Sequence, residues 1–88
     1  MKPTIGTILH YYAPAQPISR TAQLSGQGQG PFCAIVTCVR EDGLLNVAIL
    51  DQAGKPLPDP PCGIPLYELG GATVTDKRNG WLEWPPRE

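Results

Sequence analysis

Hydrophobic and polar positions divide the chain into short apolar runs separated by segments rich in glycine, proline and polar residues. Residues 5–12 alternate in the way that predicts a first β-strand. The alternation places Ile8, His10 and Tyr12 on one face and Thr7, Leu9 and Tyr11 on the other. Such a strand can bury one set of side chains and present the other.

The middle of the chain predicts a β-hairpin. Residues 32–40 and 44–50 form two apolar runs, and Glu41, Asp42 and Gly43 form the turn, where Gly43 can adopt a positive φ. Both faces of this hairpin are apolar, whereas one face of an antiparallel sheet usually meets water. We therefore expect a barrel with covered strands or a subunit interface, and in so short a chain we favour a homo-oligomer.

The last third of the chain combines a Pro-rich connection with short strands. Residues 56–65 contain five prolines, which favour an extended connection over a central strand. Residues 64–69, 72–75 and 81–84 are the remaining strand candidates. The fold class predicted for residues 1–88 is one all-β domain, a small SH3-like or OB-like barrel of about five short strands with a long loop after the first strand.

That long loop, residues 13–31, is rich in Gln, Gly, Ser and Pro, and Arg20 is its single charge. Nothing in its sequence resembles a core. A compact domain seldom carries so long a connection unless it is a binding loop, a lid or disordered. The loop is therefore the first place where we look for function.

Composition supports a turn-rich β-domain, because 41% of the residues are hydrophobic and the chain has eleven prolines and ten glycines. No signal peptide or membrane span is predicted, so we expect a cytoplasmic protein with three reduced cysteines. Cys33 and Cys38 lie five apart in a predicted strand and point to opposite faces. We interpret them as small core residues that do not form a disulfide with each other.

Charge excludes some functions and suggests another. A net charge of -1 argues against general nucleic-acid binding. All eight carboxylates follow residue 40, and the only charges before residue 41 belong to Lys2, Arg20 and Arg40. An acid-free half with two arginines could hold an anionic ligand, although a chance distribution explains the asymmetry equally well.

The motifs predict no enzyme, no metal site and no cofactor. His10 is the single histidine, so a Cys-His pair could form only through a tertiary contact, and no G-x-S-x-G nucleophile motif is present. The spacing of Cys33 and Cys38 is too wide for a zinc knuckle. The glycines at 26, 28 and 30 lack the Gly-Lys-Ser/Thr ending of a phosphate-binding loop.

Ligand binding is better supported by residue type. Arginine suits bidentate phosphate contacts, glycine lets backbone approach a phosphate, and aromatic rings stack on bases. The predicted ligand-binding residues are His10, Tyr12, Arg20, Gly26, Gly28, Arg40 and Trp81. The alternative is that the aromatic residues fill a core or subunit contact, the arginines are solvated and the loop is mobile.

Four segments resemble small proteins encoded by bacteriophages and prophages. They are residues 6–11 (GTILHY), 34–37 (AIVT), 46–49 (NVAI) and 81–85 (WLEWP). The resemblance covers the strands at both ends and the central hairpin, and most such proteins have no assigned activity. It implies a phage accessory protein, including the class that captures host immune nucleotide signals or blocks a host defence protein.

These observations favour a non-enzymatic protein that acts in the host cytoplasm. It would sequester a small anionic ligand, such as a cyclic or ADP-ribose-derived nucleotide signal, at sites made partly by residues 13–31. The alternative is a protein-interaction module that inhibits a host defence protein or serves as a small virion or assembly component, with the loop and residues 57–65 as its contact segments.

Overall fold

An all-β fold is confirmed by a computed structural model, which describes residues 2–14, 19–24, 26–28, 30–67 and 80–85 but not the side chains of residues 19 and 20. The described residues form five strands: β1 (Ile8–Tyr12), β2 (Phe32–Val39), β3 (Leu45–Ile49), β4 (Leu66–Tyr67) and β5 (Trp81–Glu83). A 3-10 helix, Ser19–Leu24, lies between β1 and β2. The strand predicted at residues 72–75 falls outside the described residues.

The five strands form one sheet in the order β3-β2-β1-β5-β4. Neighbouring strands are antiparallel except β4 and β5, which are parallel. The predicted hairpin is confirmed as β2 and β3, with Gly43 at a φ of 84° in the turn. The first strand of the chain is therefore the centre of the sheet, and the last strand lies directly beside it.

One face of the sheet carries the core, and we call it the inner face. Leu9 and Tyr11 of β1 are fully buried there, because β1 has neighbours on both edges and alternation turns these two side chains inward. The other inner-face residues are Phe32, Ala34 and Val36 of β2, Leu45, Val47 and Ile49 of β3, and Leu82 of β5. The connections add Ala13, Leu24, Leu57 and Ile64 to the same cluster.

The long loop contributes to this core, so the expectation that it holds nothing resembling a core was wrong. Leu24 is 2% exposed and Thr21 is 3% exposed, and both lie in the 3-10 helix. Ile18 and Leu24 are the two large apolar residues of this mainly polar segment, and two isolated positions are too weak a signal to predict burial. The 3-10 helix in the middle of the loop therefore anchors the loop to the domain.

The sheet is barrel-like but not closed by the named strands, and residues 64 and 65 link its two sides. Ile64 exchanges two backbone hydrogen bonds with Leu45 of β3, at 3.0 and 2.8 Å. The next residue, Pro65, accepts a hydrogen bond from the backbone N–H of Leu82 in β5 at 2.8 Å. Two consecutive residues thus bond to strands at opposite sides of the sheet, which curls it towards a barrel.

The cysteines are not core residues, which corrects the sequence-based interpretation. Cys33, Cys38 and Cys62 are all exposed and free. Cys33 follows the alternation of β2 and points away from the core. A bulge between Val36 and Cys38 shifts the register, so that the alternation fails after Val36 and Cys38 is exposed.

Candidate functional site

The outer face of β1 carries two of the predicted ligand-binding residues, His10 and Tyr12. Because Leu9 and Tyr11 point inward, Ile8, His10 and Tyr12 point to the opposite side, which we call the outer face. β1 lies between β2 and β5: Ile8 has a register partner on β2, Tyr12 has one on β5, and His10 has one on each. The outer face of the central strand is therefore the place where residues far apart in sequence meet.

Tyr12 and Trp81 form a stacked aromatic pair on this face. They are register partners on β1 and β5, their ring centroids lie 5.3 Å apart, and their planes are inclined by 9°. Both side chains are half-buried. Offset parallel stacking at this spacing is a favourable arrangement of two rings. The sequence prediction named both residues, and the fold brings them together.

Glu83 fixes the indole of that pair. The indole Nε1–H of Trp81 donates a hydrogen bond of 2.8 Å to Glu83 Oε2. The two residues are two apart in β5, so they share the outer face. A hydrogen bond to a charged acceptor holds the ring more firmly than a neutral one would. Glu83 was absent from the predicted ligand-binding residues, and the expectation that it faces away from Trp81 was wrong, because residues two apart in a strand share a face.

His10 lies between Cys33 and Glu83 in one row across three strands. The register pairs His10 with Cys33 of β2 on one side and with Glu83 of β5 on the other. This register makes Cys33 and His10 cross-strand neighbours, as a Cys-His pair would require, and no spacing in the sequence could reveal it. Among the described residues, no group of three His, Cys, Asp or Glu side chains could hold a metal ion.

The glycine-rich part of the loop lies at the same end of the sheet as Tyr12. Gly26 and Gly28 are exposed and have φ values of 85° and 80°. The side chain of Gln27 accepts from the backbone N–H of Gln52 at 2.9 Å, and the Gln52 amide donates to the Gln27 carbonyl at 3.0 Å. These bonds attach the loop to the turn after β3, next to the end of β1 where Tyr12 lies.

The turn after β3 is organised by one carboxylate. Asp51 accepts from the backbone N–H groups of Lys55 and Ala53, each at 2.9 Å, and from the Gln23 amide at 3.1 Å. The Lys55 and Gln23 hydrogen bonds are the main reasons why the pKa of Asp51 lies below its usual value. Since Gln23 belongs to the 3-10 helix, Asp51 also connects the long loop to the hairpin.

Arg40 is not part of this arrangement. It follows β2 at the end of the sheet remote from Tyr12, seven residues along the chain from Cys33, or roughly 20 Å in an extended strand. Its guanidinium pairs with Asp42 at 2.9 Å. It also covers Gly63, where an added Cβ would lie 2.5 Å from Arg40 Nη1. These contacts hold the Arg40 side chain at the hairpin turn.

The predicted ligand-binding residues are therefore divided by the fold. His10, Tyr12 and Trp81 share the outer face of the sheet, and Gly26 and Gly28 lie at the same end of the sheet on the attached loop. Arg40 lies at the other end. Arg20 belongs to the 3-10 helix, and its side chain falls outside the part that the structure describes.

On the inner side, the phenol of Tyr11 is packed against Gly80, just before β5. A Cβ added at Gly80 would lie 2.5 Å from the Tyr11 hydroxyl and would also strike the Tyr12 carbonyl oxygen. Burial raises the pKa of Tyr11 above its usual value, because the phenolate would lose its hydration. Tyr11 therefore stays neutral and acts as a packing residue behind the outer face.

Comparisons with protein-family models, with curated proteins and with solved structures found no match to this chain. No helix in the described part of the chain is long and apolar enough to cross a membrane.

Proposed function

We propose that this protein is a non-enzymatic binding protein whose ligand places a planar ring against the Tyr12–Trp81 pair. The observation that carries the proposal is the stacked pair itself, with the indole held by Glu83. Stacking of a base on an aromatic side chain contributes about 1–3 kcal/mol to binding. Rings that are already fixed before binding lose little conformational freedom when the ligand arrives.

The proposed ligand is a small nucleotide. Its base stacks on the aromatic pair, and its phosphate faces the loop that carries Gly26 and Gly28. Glu83 has the wrong sign for an anion, so the phosphate lies on the other side of Tyr12, towards the acid-free part of the chain. Exposed glycines at positive φ let backbone N–H groups approach a phosphate. Arg20 is the nearest arginine in the sequence and is assigned the ionic contact.

The biological setting that we propose follows from the resemblance to phage and prophage proteins. In that setting the protein acts in the host cytoplasm and captures a cyclic or ADP-ribose-derived nucleotide that serves as an immune signal. Capture needs affinity and abundance but no chemistry, which agrees with a site built from stacking rings. A homo-oligomer would multiply the sites and could place the loop of one subunit over the site of another.

The test is a nucleotide panel measured by isothermal titration calorimetry with the wild-type protein and two variants. Tyr12→Ala should weaken binding of the best ligand by about 5- to 150-fold, which corresponds to the loss of one stacking interaction. Arg40→Gln is the matched control, because Arg40 lies at the remote end of the sheet, and it should bind like the wild type. Failure of every nucleotide to bind at millimolar concentration would reject the proposal.

The second candidate is a protein-interaction module that uses the apolar part of the outer face. Ile8 is 57% exposed, and its register partner Ile35 is half-buried on the same face. Ile35 in turn pairs with Ala48 of β3, which extends the apolar strip across three strands. The partner would be a host defence protein, a virion component or a second copy of the chain.

Ile8→Ser distinguishes these partners. If the strip joins two copies, sedimentation analysis should show a concentration-dependent oligomer for the wild type and a monomer for the variant. If it binds a host protein, capture from host lysate should retain one stoichiometric partner that the variant loses. Wild-type protein that is monomeric and retains no partner would contradict this candidate.

A further inference from the structure

We propose that Cys33 is a reactive thiol, activated by His10, and that it is a site of covalent modification by low-molecular-weight disulfides. The inference does not require a ligand at the aromatic pair, although its row of Cys33, His10 and Glu83 shares Glu83 with that site. The chain provides its own comparison. Its three cysteines are all exposed and free, but their surroundings differ.

The neighbours recorded for the other two cysteines, within the described part of the chain, are not bases. Cys38 follows the bulge of β2 and has Asn46 as its register partner. Cys62 lies in the Pro-rich connection, with its Sγ 4.0 Å from the carbonyl oxygen of Pro60. Neither neighbour can take a proton from a thiol near neutral pH. Cys33 alone has an imidazole as its register partner.

The backbone places Cys33 and His10 at the closer of the two cross-strand spacings. The Cys33 carbonyl accepts from Leu50 N at 2.9 Å, so its backbone polar groups point towards β3 and away from β1. Its pairing with His10 is therefore of the non-hydrogen-bonded type, in which the side chains are closest, with Cβ atoms about 4.5–5.5 Å apart. That separation makes the Cys33 and His10 side chains direct cross-strand neighbours on the outer face.

The ionisable neighbours of Cys33 lie on the β1 side. His10 faces Cys33 from β1, and Glu83 faces His10 from β5. On the β3 side the neighbour of Cys33 is Leu50, which carries no charge, and Asp51 follows it in the turn, held by the N–H groups of Lys55 and Ala53. An imidazole can accept the proton of a neighbouring thiol, and a third group beside it can orient the ring.

The reaction is a thiol–disulfide exchange. His10 accepts the Cys33 proton, and the thiolate attacks one sulfur of the incoming disulfide. A new sulfur–sulfur bond forms at Cys33, the original bond breaks, and the departing thiolate takes the proton from the imidazolium. Cys33 is oxidised to a mixed disulfide, and one half of the small disulfide is reduced to a thiol. Glu83 acts as a positioning residue for the imidazole.

The experiment measures the rate of modification of each cysteine by oxidised glutathione in the full chain, with peptide mass spectrometry. At about pH 7 we expect Cys33 to react about tenfold faster than Cys38 and Cys62, because an ordinary thiol is mostly protonated there. At about pH 10 the three rates should converge, because an ordinary thiol there no longer needs a neighbouring base to become a nucleophile. Equal rates at neutral pH would overturn the proposal.

His10→Gln tests the assigned base. It should lower the Cys33 rate to that of the other two cysteines and leave their rates unchanged, and Glu83→Gln should lower it by a smaller factor. If Cys33 still reacts faster than the other two cysteines in the His10→Gln variant, His10 is not the base. If His10→Gln does not fold, the test is the pH dependence, in the wild type, of the ratio of the Cys33 rate to the rates of Cys38 and Cys62. A difference in accessibility alone predicts the same ratio at every pH and would contradict the proposal.

Discussion

The two faces of the sheet differ in the side chains that they require for stability, although the sequence predicts apolar residues on both. The inner face of β1 contains Leu9 and Tyr11, both fully buried in a continuous core. The outer face of the same strand presents Ile8 at 57% exposure, His10 and Tyr12. An apolar residue there has no core to fill. What distinguishes the outer face is the chemistry that the register assembles from three strands.

The largest expected effect separates these faces within one strand. Leu9→Ala should reduce the free energy of unfolding by about 2–5 kcal/mol, because it leaves a cavity in the core. Ile8→Ala, one residue away, should change it by less than about 0.5 kcal/mol. Urea denaturation at low protein concentration measures both. A large loss in Ile8→Ala would break the comparison and show that the outer face is covered in solution.

The next prediction concerns the packing of Gly80, which precedes β5, against Tyr11 and Tyr12 of β1. Gly80 has a φ of 82°, and a Cβ there would strike the Tyr12 carbonyl and the Tyr11 hydroxyl. Gly80→Ala should cost about 2–5 kcal/mol, from the unfavourable backbone conformation and the overpacking together.

Gly43→Ala is the control for Gly80. Its φ is 84°, but nothing lies within 4 Å of the added Cβ. It should lose only the conformational part, about 1–2 kcal/mol. Thermal melting of the two variants compares them, and equal losses would mean that packing at Gly80 adds nothing.

A smaller effect concerns the order of the outer face. Glu83→Ala removes the acceptor of the Trp81 indole and should cost about 1 kcal/mol of stability. In a Trp84→Phe background, where Trp81 is the single tryptophan, it should also lower the fluorescence anisotropy of the indole. Unchanged anisotropy would show that stacking on Tyr12 holds the ring without Glu83.

The smallest expected effect is the acid sensitivity of the loop attachment. The pKa of Asp51 is lowered in the folded state, mainly by hydrogen bonds from Lys55 N–H and Gln23, so its contribution to stability is present above the unfolded pKa of about 4. That contribution is lost as the pH falls through the lowered pKa. Wild type should melt above Asp51→Asn at neutral pH, and the difference should close in acid. A difference that persists in strong acid would contradict the assignment.

The sequence predicted the strands better than it predicted their partners. Alternation and turn residues located β1, the hairpin and β5, because those signals are local. The pairing of β1 with β5 is not local, so the row that joins Cys33, His10 and Glu83 could not be read from spacing. Cys38 was misplaced because a bulge interrupts the alternation, and Leu24 was missed because isolated apolar residues give no period.

The same limit applies to the candidate site. The residue types of Tyr12 and Trp81 predicted stacking partners, and the fold makes them partners of each other. Arg40 was grouped with them on charge alone, but its position at the other end of β2 separates it. Sequence identified the kinds of group, and the register decided which of them meet.

Because β1 is the central strand, the sheet around it cannot be completed until β5 has been synthesised. β1 leaves the ribosome first, yet one of its two edges is covered only by β5, some seventy residues later. Until then the central strand of the sheet has an open edge that can pair with another chain. Non-local pairing of this kind slows folding. The nascent protein is therefore most exposed to misassembly in the interval before its last strand is made.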